Sequence, residues 1–259
     1  MARKLIEALR SFPPLLESIQ EINRICAHKD TNINALVAVI ENDPVLYADL
    51  LRSVNAPFYA FKSEIKSIHQ AISLFGVSMI RGFALAIAIK KHSYTDMSYY
   101  SVSNLQWIQT MQKQQQFLYL WLSKEDPIAQ NILGATSFML EIGKLVFCYA
   151  LNYSHLDYSI EEKVPFKAQM QEKKLLGSSS DELTSELFDL WHYEEEFVNL
   201  LRYSLAPKDA HTPKLAAMLC IARNLITIHG VQSLEDIDTL IKEYGFNKTL
   251  IEEAYNSLV

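Results

Sequence analysis

Glycine and cysteine are both scarce in this sequence, and their scarcity excludes several kinds of site. The 259 residues include 7 glycines, and none of them forms a GxGxxG or GxxxxGKS/T pattern, which excludes the common phosphate-binding loops. The 3 cysteines, Cys26, Cys148 and Cys220, lack CxxC spacing, so the sequence predicts no disulfide framework. A chain without disulfides suits a reducing compartment, and we therefore expect a cytoplasmic protein.

The sequence also lacks an uninterrupted apolar run that is long enough to cross a membrane. Phe83–Ile89 is too short, and Ile132–Leu151 carries Glu141 and Lys144 near its middle, where a bilayer penalises charge. Charged residues interrupt the apolar positions of 1–10, so we expect no signal peptide. The sequence therefore predicts no membrane insertion.

Acidic residues outnumber basic ones by 30 to 24. The resulting formal net charge of −6 disfavours non-specific binding to nucleic acid. Residues 1–91 carry 11 basic and 8 acidic side chains, whereas residues 92–259 carry 13 and 22. This asymmetry indicates two substructures with different surfaces, with chance variation as the alternative. The helix after Gly76 has one charged residue over Ile80–Ile89, which fits a core helix better than a groove-reading one. We expect no nucleic-acid partner.

Apolar residues recur three and four positions apart along almost the whole chain, and no convincing alternating strand pattern is present. The sequence therefore predicts an all-α, multi-helical fold. Asp30-Thr31-Asn32 supplies caps for the helix that begins at Ile33, and Asp43-Pro44 and Thr212-Pro213 are typical helix starts. Gly76 is expected to end a helix in a left-handed conformation. The predicted helices span 15–26, 33–40, 44–51, 68–75, 79–91, 105–122, 127–151, 178–192, 194–205, 212–229, 234–244 and 247–258.

A polar segment at 93–104 is the predicted connection between two parts of the chain. It separates an N-terminal helical bundle, residues 1–92, from a second bundle with C-terminal helices, residues 93–259. Because the segment is rich in Ser and Tyr rather than Gly, we expect the two bundles to form one continuous unit.

Three segments of the first bundle carry a resemblance to a known family: FPPLLESI at 12–19, DPVL at 43–46 followed by LLRSVNAPFY at 50–59, and IKSIHQAISLFG at 65–76. Together they resemble the HDOD family of bacterial signalling proteins, an output domain related to the HD-type metal-dependent phosphohydrolases. The resemblance covers roughly residues 12–205. It implies an N-terminal helical bundle packed against an HD-like helical bundle.

Five residues of the first bundle are candidates for interaction or ligand binding: Asn55, Pro57, Phe58, Tyr59 and Arg81. Asparagine and proline suit a sharp turn, and the two aromatic rings can fill a groove between helices, so packing is favoured over binding. The arginine lies in an otherwise apolar helix. We expect it to extend to water rather than to clamp an acidic partner.

The resemblance implies metal-ligand positions, but other residues occupy them here. The His-Asp dipeptide of the family, followed by Ile-Gly-Lys, matches Leu140 and Glu141, and the further ligand histidines correspond to Gln109, Ser180 and Ser204. One carboxylate without a nearby imidazole is a poor transition-metal site. No two of the 7 histidines lie three or four residues apart. We therefore expect no metal, no other cofactor and no catalysis.

Two functions remain open. The first is a non-catalytic regulatory module of bacterial signal transduction that binds an unidentified signalling protein, with a homodimer as a further option. The alternative is a degenerate phosphohydrolase fold that retains a pocket for a nucleotide or other small ligand, with Lys144, Arg202 and Lys208 as phosphate contacts. A polar patch at 112–116 is expected to be exposed, unless its glutamines bond across a helix interface.

Overall fold

The computed structural model describes residues 2–28, 30–90 and 95–258, without the side chains of residues 2–6 and 236. The all-α prediction is confirmed, since the strands β1 (Ile226–Thr227) and β2 (Gly230–Val231) form only a short hairpin. The helices in these ranges are α1 (Ala2–Ser11), α2 (Glu17–Cys26), α3 (Ile33–Glu41), α4 (Pro44–Val54), α5 (Ile68–Lys90), α6 (Asn104–Glu125), α7 (Pro127–Ile132), α8 (Ile142–Tyr153), α9 (Pro165–Leu176), α10 (Ser180–Leu190), α11 (Glu195–Arg202), α12 (Pro213–Leu225), α13 (Asp238–Tyr244) and α14 (Lys248–Asn256).

Helices α2 to α5 pack on one another and form the first bundle. Their starts follow the predicted caps, because the side chain of Asn32 accepts a hydrogen bond from the Ala35 backbone N–H and that of Asp43 accepts one from Leu46. Ser18 donates to the same Asp43 carboxylate at 2.9 Å, which ties α2 to the start of α4. The predicted boundary at residues 92–93 lies outside the described residues.

A kink at Gly76 divides α5, where two separate helices were predicted. The φ angle of Gly76 is 77°, which confirms the predicted positive φ that favours glycine. Its ψ angle of 163° is extended rather than helical, so the predicted left-handed helical cap was wrong. A Cβ at this position would lie 3.0 Å from the Asn131 side chain of α7. By length and composition α5 could cross a membrane, yet 61% of its most apolar window is buried, as in a core helix.

The second bundle is built around α6, α8, α10 and α12. Gly143 allows a close approach between α8 and α10, since a Cβ there would lie 2.2 Å from the Ser180 carbonyl oxygen. Helix α1 also packs here, with the Phe12 and Tyr149 rings 5.1 Å apart. The buried apolar residues form one cluster that runs from Ala8 to Ala254 through both bundles.

Two of the predicted helices were wrong in extent. The predicted helix 127–151 breaks after Ile132 and resumes at Ile142, because the intervening segment folds against α5, with Phe138 packed on Phe83 at 4.8 Å. The predicted helix 212–229 ends at Leu225, where Gln114 donates to the next carbonyl oxygen. Helices α1 and α9 were not predicted.

Candidate functional site

Five polar side chains lie buried together at the centre of the second bundle, where water does not reach them. They come from four helices and the residue that precedes α8, and each is at most 5% exposed. Burial of so many polar groups is costly unless they satisfy one another. We call this cluster the polar core: Gln114, Glu141, Lys144, Asp181 and Arg223.

The guanidinium of Arg223 bridges two carboxylates in the polar core. Its Nε donates to Glu141 Oε1 at 3.1 Å, and its Nη1 donates to Asp181 Oδ2 at 2.6 Å. The same Nη1 also lies 2.7 Å from the hydroxyl oxygen of Ser204, which accepts a hydrogen bond from it. With Lys144 included, two basic and two acidic side chains balance their formal charges, as buried ions require.

Glu141 is the most heavily bonded member of the polar core. Lys144 donates to its Oε2 and Gln114 donates to its Oε1 at 2.9 Å, in addition to the bond from Arg223. Its backbone carbonyl accepts a hydrogen bond from the Trp107 indole at 2.8 Å. Side-chain and backbone contacts therefore fix this residue from α6, α8 and α12 at once.

Opposing effects set the pKa values of the two carboxylates. Burial would raise the pKa of Glu141, but the charges of Arg223 and Lys144 outweigh it and lower the pKa to about 2. Burial raises the pKa of Asp181, and the charge of Arg223 offsets this effect only in part. Glu141 is thus the firmly ionised member of the pair.

A third buried carboxylate, that of Glu172, lies beside the polar core. Glu172 accepts a hydrogen bond from the Tyr100 hydroxyl at 2.7 Å and one from the Ser180 backbone N–H at 2.6 Å. Burial raises the pKa of Tyr100 well above its usual value, so this hydroxyl stays a proton donor. The start of α10 is therefore anchored by α9 as well as by Arg223.

The resemblance implies five metal-ligand positions, and the structure brings some of them together but not all. Glu141 and Ser204 both contact Arg223, and Ser180 precedes Asp181 on α10. Leu140 is buried in the apolar cluster, and Gln109 is exposed in a separate groove beside the β1–β2 hairpin.

A divalent metal does not fit this arrangement of donors. The carboxylates of Glu141 and Asp181 already accept hydrogen bonds from Arg223, and a dication between them would lie against the buried charges of Arg223 and Lys144. Within the described ranges, no three histidine, cysteine, aspartate or glutamate side chains are grouped so as to hold a metal ion. Among the described residues, no histidine belongs to the polar core, although His229 lines the small cavity beside Glu141 and Lys144.

The candidate residues of the first bundle have mainly structural contacts. Asn55 holds its turn closed, since its amide donates to the Ile65 carbonyl and its Oδ1 accepts from the Ile65 N–H, both at 2.8 Å. Tyr59 packs edge-on against Phe75 and Tyr119, and Phe58 also faces Tyr119. Pro57 begins the short 3-10 turn that carries these rings and is exposed.

Arg81 does not extend to water, so that expectation was wrong. Its guanidinium is buried and donates to both carboxylate oxygens of Glu194 at 2.7 Å, across the seam between the bundles. It also lies 4.5 Å from the centre of the Tyr193 ring. The other expectation for Arg81, that it binds an acidic group, applies, but the acidic group is Glu194 of the same chain.

The glutamine patch at 112–116 is divided rather than uniformly exposed. Gln114 and Gln115 are buried, whereas Gln112 is exposed and Gln116 is half-buried. Gln114 donates to Glu141 and to the Ile226 carbonyl oxygen. For this side chain the alternative expectation, a hydrogen bond across a helix interface, is the correct one.

The sequence interpretation missed Arg223, the residue around which the polar core is arranged. A signal was present, because Arg223 follows seven buried residues of α12, Ala216–Ala222, with no other charge among them. A lone arginine in such a run requires a buried acidic partner or a route to water. The role of Asp181 in the polar core was also missed.

Comparison with known proteins relates the chain to one family. The family model described as HDOD domain matches residues 12–207. No curated protein gives a significant match. An HDOD domain protein of unknown function from Geobacter sulfurreducens is 15% identical, with a TM-score of 0.69, over 100% of this chain and 96% of that one.

Two further solved structures share the fold. A protein provisionally assigned to signal transduction, from Marinobacter aquaeolei VT8, is 21% identical with a TM-score of 0.66 over 99% of this chain; this chain spans 62% of that protein. A provisionally assigned phosphohydrolase from Shewanella amazonensis SB2B is 18% identical with a TM-score of 0.64, covering 98% and 93%. These likenesses confirm the predicted HD-like helical architecture.

The lowered pKa of Glu141 gives a pH-dependent contribution to stability. A carboxylate whose pKa falls from 4.5 to about 2 on folding stabilises the protein fully above pH 4.5 and loses this contribution as the pH falls towards 2. Urea unfolding of the wild type and of Glu141→Gln is expected to differ by on the order of 3 kcal/mol at neutral pH.

This difference is expected to shrink steadily below pH 4.5, as far down as both proteins remain folded. The exposed Glu161→Gln variant is the control and is expected to match the wild type throughout. A difference for Glu141→Gln that stays constant between pH 7 and pH 3 would contradict the assignment.

Proposed function

The chain belongs to the HDOD domain family, and from that membership we propose that it is a cytoplasmic, non-catalytic regulatory module that acts by binding another protein of a bacterial signalling pathway. The observation that carries the proposal is the guanidinium of Arg223 between the carboxylates of Glu141 and Asp181. The three cysteines, which are free thiols, fit a reducing compartment.

The bonding of the polar core argues against hydrolysis. An HD-type hydrolase uses a metal ion to lower the pKa of a bound water and so generate the nucleophile. Here the two carboxylates available for such a metal are occupied by Arg223, Lys144 and Gln114. Activation of water at this place would require the buried ion pairs of Glu141 and Asp181 to be broken.

The alternative function is a pocket for a nucleotide at the position of the polar core. The geometry there supports it poorly. The cavity beside Glu141 and Lys144 has a volume of about 10 Å³, which is room for about one water molecule and far too little for a nucleotide. The suggested phosphate contacts are also engaged: Lys144 pairs with Glu141, Lys208 pairs with Glu243 at 3.0 Å, and Arg202 donates to a serine at 2.9 Å.

An exposed apolar patch at the contact between α5 and α7 is the surface that we assign to the partner. Ile128, at 75% exposure, has the highest exposed fraction of the large apolar side chains described, and Ile132 lies one turn further along α7. Leu74 is exposed two residues before Gly76, at which an added Cβ would lie 3.0 Å from the Asn131 side chain of α7. We call Leu74, Ile128 and Ile132 the α7 patch.

The arrangement of the α7 patch suits a helical partner. Apolar side chains four residues apart on a helix are the usual contacts in helix docking, and grouped exposed apolar residues mark interaction sites more often than single ones do. The Marinobacter protein of similar fold carries a signal-transduction assignment, which is consistent with a partner of this kind.

The proposal of a non-catalytic module gives a direct biochemical expectation. Purified protein supplied with Mn²⁺, Fe²⁺ or Zn²⁺ is expected to hydrolyse bis(p-nitrophenyl) phosphate no faster than a protein-free control, because both carboxylates of the polar core are already paired with Arg223 or Lys144. Elemental analysis measures the metal content of the same samples. Stoichiometric metal together with turnover that Glu141→Gln abolishes would overturn the proposal.

The α7 patch gives a second expectation, about binding. Affinity capture from the native cell with wild-type bait is expected to recover a signalling protein that Ile128→Glu bait does not retain, because a carboxylate in a desolvated apolar contact weakens binding by about tenfold or more. Calorimetry with the purified partner measures the loss.

The matched control is Phe166→Glu, which alters a similarly apolar side chain, 53% exposed, on α9 in the second bundle. It is expected to capture the partner as the wild type does. Equal capture by Ile128→Glu and the wild type, with circular dichroism showing both folded, would exclude the α7 patch as the binding surface.

A further inference from the structure

A cleft lies at the seam between the two bundles, bounded by α4, α5, α6 and the turn that carries Tyr59. Its volume is about 610 Å³, within the range of small-molecule sites in proteins. Helix α6 separates the cleft from the polar core. Gln114 belongs to the polar core, and the next residue, Gln115, lines the cleft. The walls are mainly apolar: Phe83, Ile87, Ile108, Met111 and Phe138. We call this space the interbundle cleft.

Three glutamines of α6 supply polar groups along one wall of the interbundle cleft. Gln115 is 3% exposed, and its Oε1 accepts a hydrogen bond from the Tyr59 hydroxyl at 3.1 Å. Its amide nitrogen has only the Met79 sulfur as a partner, at 4.0 Å, which is a weak contact. In the described part of the chain, Gln112 and Gln116 have no hydrogen-bond partner. The wall therefore carries amide donors and acceptors that remain available.

The mouth of the interbundle cleft has a net positive charge, although the chain as a whole carries −6. Lys90 lies there, exposed and without an ion-pair partner among the described residues. Arg52 also lies there and uses one nitrogen, Nη1, to contact Asp49 at 2.7 Å. Two basic and one acidic side chain leave a formal charge of +1, which suits one anionic group.

The size and charge of the interbundle cleft suit a small molecule. Its volume of about 610 Å³ lies within the range of small-molecule sites, about 300–1,000 Å³. A flat ring system can lie against Phe83 and Phe138, with its polar edge at the glutamine amides. An acidic substituent then reaches the basic mouth.

We propose that the interbundle cleft binds a small aromatic anion, with one or two fused rings and a single phosphate, sulfonate or carboxylate group. The rings pack between α5 and α6, and the acidic group lies at Lys90 and Arg52. Because the occupant touches helices of both bundles, its binding stabilises their docking. The site goes beyond the proposed partner-binding function and uses none of the residues of the α7 patch.

The probe for this site is anilinonaphthalene sulfonate, whose fluorescence rises when it leaves water. A titration of the wild-type protein at low salt is expected to show one saturable site that weakens as salt is added. Naphthyl phosphate is expected to displace the probe. Inorganic phosphate, which lacks the rings, and naphthol, which lacks the charge, are expected to compete at least about tenfold less well.

Two variants locate the binding. Ala86→Trp places a large ring in the interbundle cleft and is expected to lower the affinity for the probe by about tenfold or more, whereas Ala38→Trp, at an exposed position on α3, is its control. Lys90→Gln is expected to lower the affinity and reduce its salt dependence, with the exposed Lys66→Gln as the control.

Three results would overturn the proposal. The first is the absence of a saturable site in the wild type. The second is equal affinity in Ala86→Trp and Ala38→Trp, with both variants shown to be folded by circular dichroism. The third is competition by naphthol as strong as that by naphthyl phosphate, which would show a plain apolar groove without selection for an anion.

Discussion

The second bundle depends on one buried interaction, the guanidinium of Arg223 between the carboxylates of Glu141 and Asp181. Each of these ions alone would be strongly destabilising inside the protein, because the interior solvates charge poorly. Together they join α8, α10 and α12, and Gln114 and Lys144 attach α6 and complete the charge balance. A fixed organic cation thus lies between the two carboxylates, and the proposal of a regulatory rather than catalytic role rests on this arrangement.

The same architecture explains why the two bundles form one unit. Arg81 of α5 binds Glu194 of the second bundle, and Tyr59 at the seam donates to Gln115 of α6. Helix α6 therefore contributes to the polar core on one side and to the interbundle cleft on the other. The rigid polar core supports the wall of the cleft, so a ligand there and a partner at the α7 patch would both act on the α5–α6–α7 region.

Local signals in the sequence were sufficient for most of the fold. The caps at Asn32 and Asp43 and the break at Gly76 depend on short-range backbone chemistry, and all three lie where they were predicted. The break between α7 and α8 could not be predicted in this way, because packing of Phe138 on Phe83, far away in sequence, causes it. The candidate site was harder still. Glu141 and Ser204 were identified by their place in a motif, but Arg223 gains its role only from carboxylates 82 and 42 positions earlier in the chain.

The central claim is that Arg223 is needed because it neutralises the two buried carboxylates, and a comparison of three proteins tests it most directly. Urea unfolding at pH 7 would be measured for the wild type, for Arg223→Met, and for Arg223→Met combined with Asp181→Asn. The single variant is expected to lose about 3–5 kcal/mol, as when one partner of a buried ion pair is removed. The double variant is expected to regain most of that loss, since the one acid left in its polar core, Glu141, remains paired with Lys144. A double variant that is less stable than the single one would contradict the claim.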